Sequence, residues 1–222
     1  MCGRFTRKEN MQNLAELLGL PIPPLLPTRY NVAPSKLVAC VRMNPDTTER
    51  EWVELKWGLV PSWAKDPSIG HKLINVRGET VGEKPSFRKA FKQQRCLVLA
   101  DGFYEWKREG RTKQPYYIRF KDYRLFAFAG LWERWEKQDP ALESCSLITI
   151  GPNAVMEPIH HRMPVLLATT QYDEWLDPSL HMVERLNTVL RPFPPEEMEA
   201  YPASQMVNNP RYDQPQCVVP LQ

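Results

Sequence analysis

Apolar and polar positions alternate between two kinds of pattern along this chain. Near the start, Met11, Leu14, Leu17 and Leu18 recur at helical spacing, and Thr6-Arg7-Lys8-Glu9 ahead of them reads as a capping box. A helix is therefore expected to open near Thr6 and to end near Gly19. The segment 21–35 is rich in proline and reads as a loop. Residues 37–43 (LVACVRM) and 51–57 (EWVELKW) then predict strands, the second with partial alternation. Ser86 is placed to cap a short helix carrying Phe87 and Phe91. Strands follow at 95–101, 103–108 and 115–120, the last two joined by a turn around Glu109-Gly110. More strand is expected at 125–135 and 144–150, and helices at 170–176, 182–190 and 195–201. The sum is an α+β chain with a sheet-rich centre. No composition shift marks a linker, so residues 1–222 read as one domain.

Composition narrows the class. Hydrophobic residues make up 42% and charged residues 25%, the balance of a folded globular domain. The 22 prolines imply many short elements and shaped loops, and argue against a helical bundle. No apolar run is long enough to cross a membrane, and MCGRFTRKEN lacks the apolar stretch of a signal peptide. A cytoplasmic protein with no membrane partner is expected. The five cysteines are odd in number and widely spaced, with no C-x-x-C, so neither a zinc site nor a dithiol redox motif is indicated. Cys40, Cys96, Cys145 and Cys217 lie in or beside apolar runs and read as buried free thiols. Residues 1–124 carry 23 Lys+Arg against 13 Asp+Glu, while residues 125–222 carry 6 against 13. That asymmetry permits a basic face suited to a phosphate backbone; folding can equally mix the charges away.

The start of the chain carries the most distinctive chemistry. Methionine before a small residue is normally removed, which would make Cys2 the first residue. Its α-amine, with a pKa of about 7.7–8.0, and its thiol would then sit on adjacent carbons. Such a pair condenses with an aldehyde to an imine, and the sulfur closes a thiazolidine ring. The ring-opened sugar of an abasic DNA site is such an aldehyde. The plainer reading is a cysteine placed by chance at a fraying end. A different use of the same residue is an N-terminal-nucleophile amidohydrolase or peptidase, in which the thiol attacks an amide.

Other segments hold candidate partners. In Ile74-Asn75-Val76-Arg77-Gly78-Glu79 an extended backbone would point Asn75, Arg77 and Glu79 to one side. Asp101-Gly102-Phe103-Tyr104-Glu105-Trp106 sets a carboxylate among aromatic rings, which favours a raised pKa and acid/base work. Tyr104 and Trp106 could stack on bases. Ile159-His160-His161-Arg162 reads as a loop entering a strand, with a histidine able to shuttle a proton. Its two histidines, in a strand-like segment, would face opposite ways and not share a metal. Trp57 and Trp63 flank a tight turn, and Arg4 follows Cys2 closely enough to meet a phosphate. Each segment alone also fits ordinary packing or a solvated face.

Taken together, MCGRF (1–5), RYNVAP (29–34), WGLVPSW (57–63), INVRGET (74–80), RCLVLADGFYEW (95–106), FAGLW (128–132), IHHRMPV (159–165) and MVNN near the end resemble the SRAP family, named for SOS-response-associated peptidases. The resemblance spans essentially the whole chain. It implies a single SRAP-type domain with a barrel-like β-sheet core flanked by short helices. It implies an abasic-site sensor that binds single-stranded DNA, without cofactor or metal, and forms a covalent thiazolidine crosslink through Cys2. Strand scission and self-reversal of the crosslink would share its imine intermediate. Asn75, Glu105 and His160 would join Cys2 in the chemistry. Arg4, Arg77, Arg162, Trp63, Tyr104 and Trp106 would contact DNA. A monomer, nucleoid-associated when bound, is expected, and the peptidase label would refer to removal of Met1. A non-covalent reader of single-stranded or modified DNA remains the alternative outside enzymology. Val76, Leu99 and His161 depart from residues common in the family, and none removes a proposed chemical group.

Overall fold

The computed structural model of the chain describes residues 2–9, 12–21 and 27–221. The strands are β1 (Arg4–Arg7), β2 (Arg29–Val32), β3 (Leu37–Met43), β4 (Arg50–Trp57), β5 (Asn75–Arg77), β6 (Arg95–Ala100), β7 (Gly102–Glu109), β8 (Thr112–Phe120), β9 (Phe126–Trp135), β10 (Leu142–Ile150), β11 (Met163–Pro164), β12 (Leu166–Leu167) and β13 (Met198–Pro202). The α-helices are short: α1 (Gln12–Leu18), α2 (Arg88–Gln93), α3 (Tyr172–Leu176) and α4 (Val183–Val189).

Five strands close a barrel in the order β10-β4-β3-β6-β9, with β9 pairing back onto β10. Closure leaves no free edge within the ring. Every residue of β6 is buried, as are most of β9, so both faces are covered. That explains why these strands read as continuous apolar runs rather than alternating ones. β5 extends one edge of β10 in parallel, with Asn75 opposite Leu147.

A second sheet, ordered β13-β8-β7-β1-β2, packs on the barrel. Phe5 of β1 meets Trp57 at 5.1 Å and Phe128 at 5.7 Å between ring centroids. Each such buried ring contributes about 1.5–3 kcal/mol by leaving water. The opposite face of this sheet buries Tyr104 and Tyr117 under a C-terminal segment that includes Ala203, Val207 and Cys217. At the outer edge, Asp213 Oδ1 accepts the backbone N–H groups of Tyr30 at 2.6 Å and Asn31 at 2.9 Å. Asn31 is buried and binds the same segment: its Nδ2 donates to the carbonyls of Val207, Asn209 and Tyr212.

Several local expectations change. Thr6 lies in β1, not at a helix cap. Its hydroxyl bonds to the buried Asp101 carboxylate and, at 2.8 Å, to the Tyr117 hydroxyl. Asp101 also accepts the N–H groups of Lys8 and Glu9, so the start of the chain is knitted into the sheet. α1 ends as expected at Gly19, whose φ of +65° lets Leu20 N–H reach Ala15 O at 2.9 Å. Leu14, Ala15 and Leu18 are buried on its inner face, whereas Leu17 is exposed; Met11 lies outside the described residues. β2 forms inside the expected proline-rich loop. The cap of α2 is Phe87, and Ser86 makes no cap bond. The helix expected over 195–201 is a single turn, Pro195–Glu197, followed by β13. Pairing wins there: Tyr201 lies opposite Tyr117 and extends the sheet beyond β8. All five cysteines are free and buried.

Candidate active site

The site forms where the amino-terminal strand meets the end of the barrel. β1 runs antiparallel to β7 with Arg4 opposite Tyr104, which sets Cys2 and Gly3 beside Glu105 and Trp106. Cys2 is fully buried. From β5, Asn75 Nδ2 donates to the Cys2 carbonyl at 2.7 Å, while Asn75 Oδ1 is buried without a hydrogen-bond partner among the described residues. From the turn before β11, His160 Nδ1 lies 3.9 Å from Glu105 Oε1. Three separate stretches of sequence thus converge on one residue.

Burial sets the proton affinities. It pushes the Cys2 thiol well above its ordinary range, and the neighbouring Glu105 carboxylate adds to the effect. It likewise raises the Glu105 carboxyl, which is 2% exposed. It lowers His160 to about 4, so the imidazole is neutral near pH 7. The Arg162 N–H donates to His160 Nδ1 at 3.0 Å, which leaves the ring hydrogen of the neutral form on Nε2. A buried carboxyl, a neutral imidazole and a thiol together can accept and return protons around a carbonyl centre.

The remaining expected residues separate. Arg77 is exposed at the end of β5, with no ion-pair partner among the described residues. Trp106 is half-buried, and its Nε1 donates to Asn208 Oδ1 at 2.7 Å. Arg162 holds Glu79 in a two-pronged pair at 2.6 and 2.8 Å, which keeps that carboxylate below its usual range. Glu79 itself lies in the turn after β5, not on the strand. Arg4 is half-buried and has partners within the protein: its guanidinium donates to Asn31 Oδ1 at 2.9 Å and to the carbonyls of Val207 and Asn208 at 2.6 and 3.4 Å. It ties the amino-terminal strand to the C-terminal segment, with those donors committed within the protein. Tyr104 is corrected, because its ring is fully buried and its hydroxyl donates to Tyr30 O at 2.8 Å. No face is left for a base. Trp63 is 55% exposed and is held through its neighbour, as Trp135 Nε1 donates to Ala64 O at 2.8 Å. It does not line the groove at Glu105. His160 and His161 stack at 4.4 Å rather than facing apart, because the segment is a turn and not a strand.

That groove has a volume of about 1050 Å³ and runs from Glu105 and His160 past Trp106. Motif reading overlooked three residues that hold the site. Asn31 and Asp101 anchor β1 from its two sides, and Asn208 positions Trp106. An asparagine inside a short strand was the available signal, since that residue is depleted from strands unless its side chain has partners. No group of three or more metal-ligating side chains, and no helix long and apolar enough to cross a membrane, occurs among the described residues.

Known proteins place this architecture. Residues 1–210 match the family described as SOS response associated peptidase (SRAP). The abasic site processing protein YoqW of Bacillus subtilis is 43% identical, over 98% of this chain and 99% of its own. The abasic site processing protein HMCES of Gallus gallus is 35% identical, over 82% of this chain and 61% of its own. A crystal structure of a Bacteroides thetaiotaomicron protein superposes with a TM-score of 0.86 at 28% identity, covering all of both chains. With the barrel, the packed second sheet and this match across nearly its whole length, the chain belongs to the SRAP family.

Proposed function

We propose that this protein processes abasic sites in single-stranded DNA by covalent capture on Cys2 once Met1 has been removed. The observation that carries the reading is the convergence on Cys2 of Asn75, at 2.7 Å from its carbonyl, and of the Glu105–His160 pair, 3.9 Å apart. Relatives named as abasic site processing proteins cover almost the whole chain, which supports the same substrate.

The chemistry balances without a cofactor. The neutral α-amine of Cys2 adds to the aldehyde of the ring-opened sugar, and water leaves to give an imine. The thiol then loses its proton, its sulfur adds to the imine carbon, and the nitrogen takes up a proton. A buried thiol does not ionise on its own, so a base must take that proton. Glu105 is the group placed to do so. Protonated Glu105 is also the acid that expels water or, in reverse, reopens the ring. Neutral His160 helps to open the sugar, and Asn75 holds both the Cys2 carbonyl and a sugar hydroxyl through its open Oδ1. Arg77 meets a phosphate beside the lesion, and Trp106 walls the strand's path.

The test is a synthetic abasic single strand incubated with the purified protein. The expected product is an adduct that survives heating in denaturant, and whose mass equals protein lacking Met1 plus DNA minus one water. Cys2→Ala should abolish it. A stable adduct on the alanine variant, or a fully reactive protein that retains Met1, would overturn the proposal.

A further inference from the structure

The β7–β8 hairpin carries a charge arrangement that the chemistry at Cys2 leaves unused. Glu109 pairs with Thr112 across the two-residue turn Gly110-Arg111. Gly110 has a φ of +62°, the left-handed first position that lets so tight a turn match the twist of its strands. The turn fixes the register, and the register sets Arg108 directly opposite Lys113. Like charges facing each other across an antiparallel pair repel. Both side chains are exposed, and neither has an ion-pair partner among the described residues. The hairpin's own carboxylate, Glu109, lies 3.9 Å from Lys107 instead.

Both cations line the groove that begins at Glu105 and His160. Arg108 is three residues beyond Glu105, roughly 10 Å along the strand. The groove wall between them is fixed: Gln205 Nε2 donates to Lys113 O at 3.3 Å, and Asn208 joins Gln205 to Trp106. His161 and Glu157 also line the groove. A phosphate in this channel is drawn to the hairpin and repelled by Glu157.

We infer that Arg108 and Lys113 clamp one phosphodiester of the single strand flanking the captured site. The groove then leads the DNA out along the hairpin, and the bound phosphate relieves the repulsion between the two cations. The inference rests on the DNA reading above, and its test is separable from it.

Equilibrium binding of an oligothymidine with no abasic site is measured across a salt series for the wild type and for Arg108→Gln/Lys113→Gln. Losing one phosphate contact should flatten the plot of log K against log salt by about 0.7 and weaken binding at low salt. Arg108→Glu guards against misfolding: it creates a cross-strand ion pair with Lys113, so the hairpin stays formed while affinity still falls. The crosslinking rate on an abasic strand too short to reach the hairpin, with a single nucleotide on each side, should match the wild type. On a longer strand below saturation it should be slower. Unchanged salt slopes with normal crosslinking would overturn the clamp alone. A reduced slope in a protein that never crosslinks would overturn capture and leave the clamp standing. A wild type with no affinity for the oligonucleotide would overturn both.

Discussion

Cys2 and the barrel cysteines are equally hidden from solvent, and their surroundings are opposite in kind. Cys40, Cys96 and Cys145 sit on β3, β6 and β10 inside the closed ring, all fully buried. Burial raises Cys40 and Cys145 above the ordinary thiol range, and the neighbours that reinforce the shift at Cys40 are the other two thiols. No carboxylate or imidazole contributes to the shift at either. Cys2 is raised by burial too, but the second contributor is a carboxylate that belongs to the same site. The difference lies in the partners: the barrel thiols face one another, whereas Cys2 lies beside a carboxyl that can exchange protons, as the proposed chemistry requires.

The largest test of that contrast is Cys2→Ser against Cys145→Ser. The first should lose the heat-stable adduct yet keep an imine trappable by borohydride, because the amine survives and a hydroxyl closes a weaker ring. The second should leave adduct yield unchanged while lowering stability by about 1–3 kcal/mol in denaturant unfolding, for a polar group set into an apolar barrel. Equal losses of adduct would break the comparison. Next is Glu105→Gln, which should slow adduct formation by about 10²–10⁴-fold in a quenched time course, with affinity for undamaged single strand preserved. A rate within a few-fold of wild type would show that another base serves Cys2.

Acid provides a third handle. His160 titrates near 4 in the folded chain against 6.5 for the unfolded one. Between those values the unfolded state binds the extra proton, so stability falls as pH drops through that window and levels off below it. Thermal melts should show His160→Gln losing less stability than wild type from pH 6.5 to 4. The smallest expected effect is Tyr104→Phe, which removes the bond to Tyr30 O at a cost of about 1 kcal/mol. DNA affinity should not move; a large loss would restore Tyr104 as a contact.

Much of the barrel was legible in the sequence, because strands covered on both faces need unbroken apolar runs, and RCLVLA and FAFAGLW supply them. The second sheet was harder to read. Thr6 satisfies its hydroxyl on Asp101, which is remote in sequence, so a good local cap lost to a long-range bond. Residues 198–202 have no strong strand pattern and become a strand because β8 offers them an edge. At the site, motifs named Cys2, Asn75, Glu105 and His160, but nothing in their spacing shows that they meet. The stacking role expected of Tyr104 fails because its ring is buried, and the guanidinium of Arg4 already has protein partners. Residue type suggests a contact, whereas only packing shows whether the polar atoms already have partners.

Asp213 shapes how this molecule behaves in a crowd. Its carboxylate accepts the N–H groups of Tyr30 and Asn31 and, with the C-terminal segment bound by Asn31, covers this end of the second sheet. A second chain pairing there would have to displace both that carboxylate and the segment. The guard against strand-to-strand association at this border is thus shared with that segment, and Asp213→Ala should raise the tendency to aggregate at high concentration, read by light scattering.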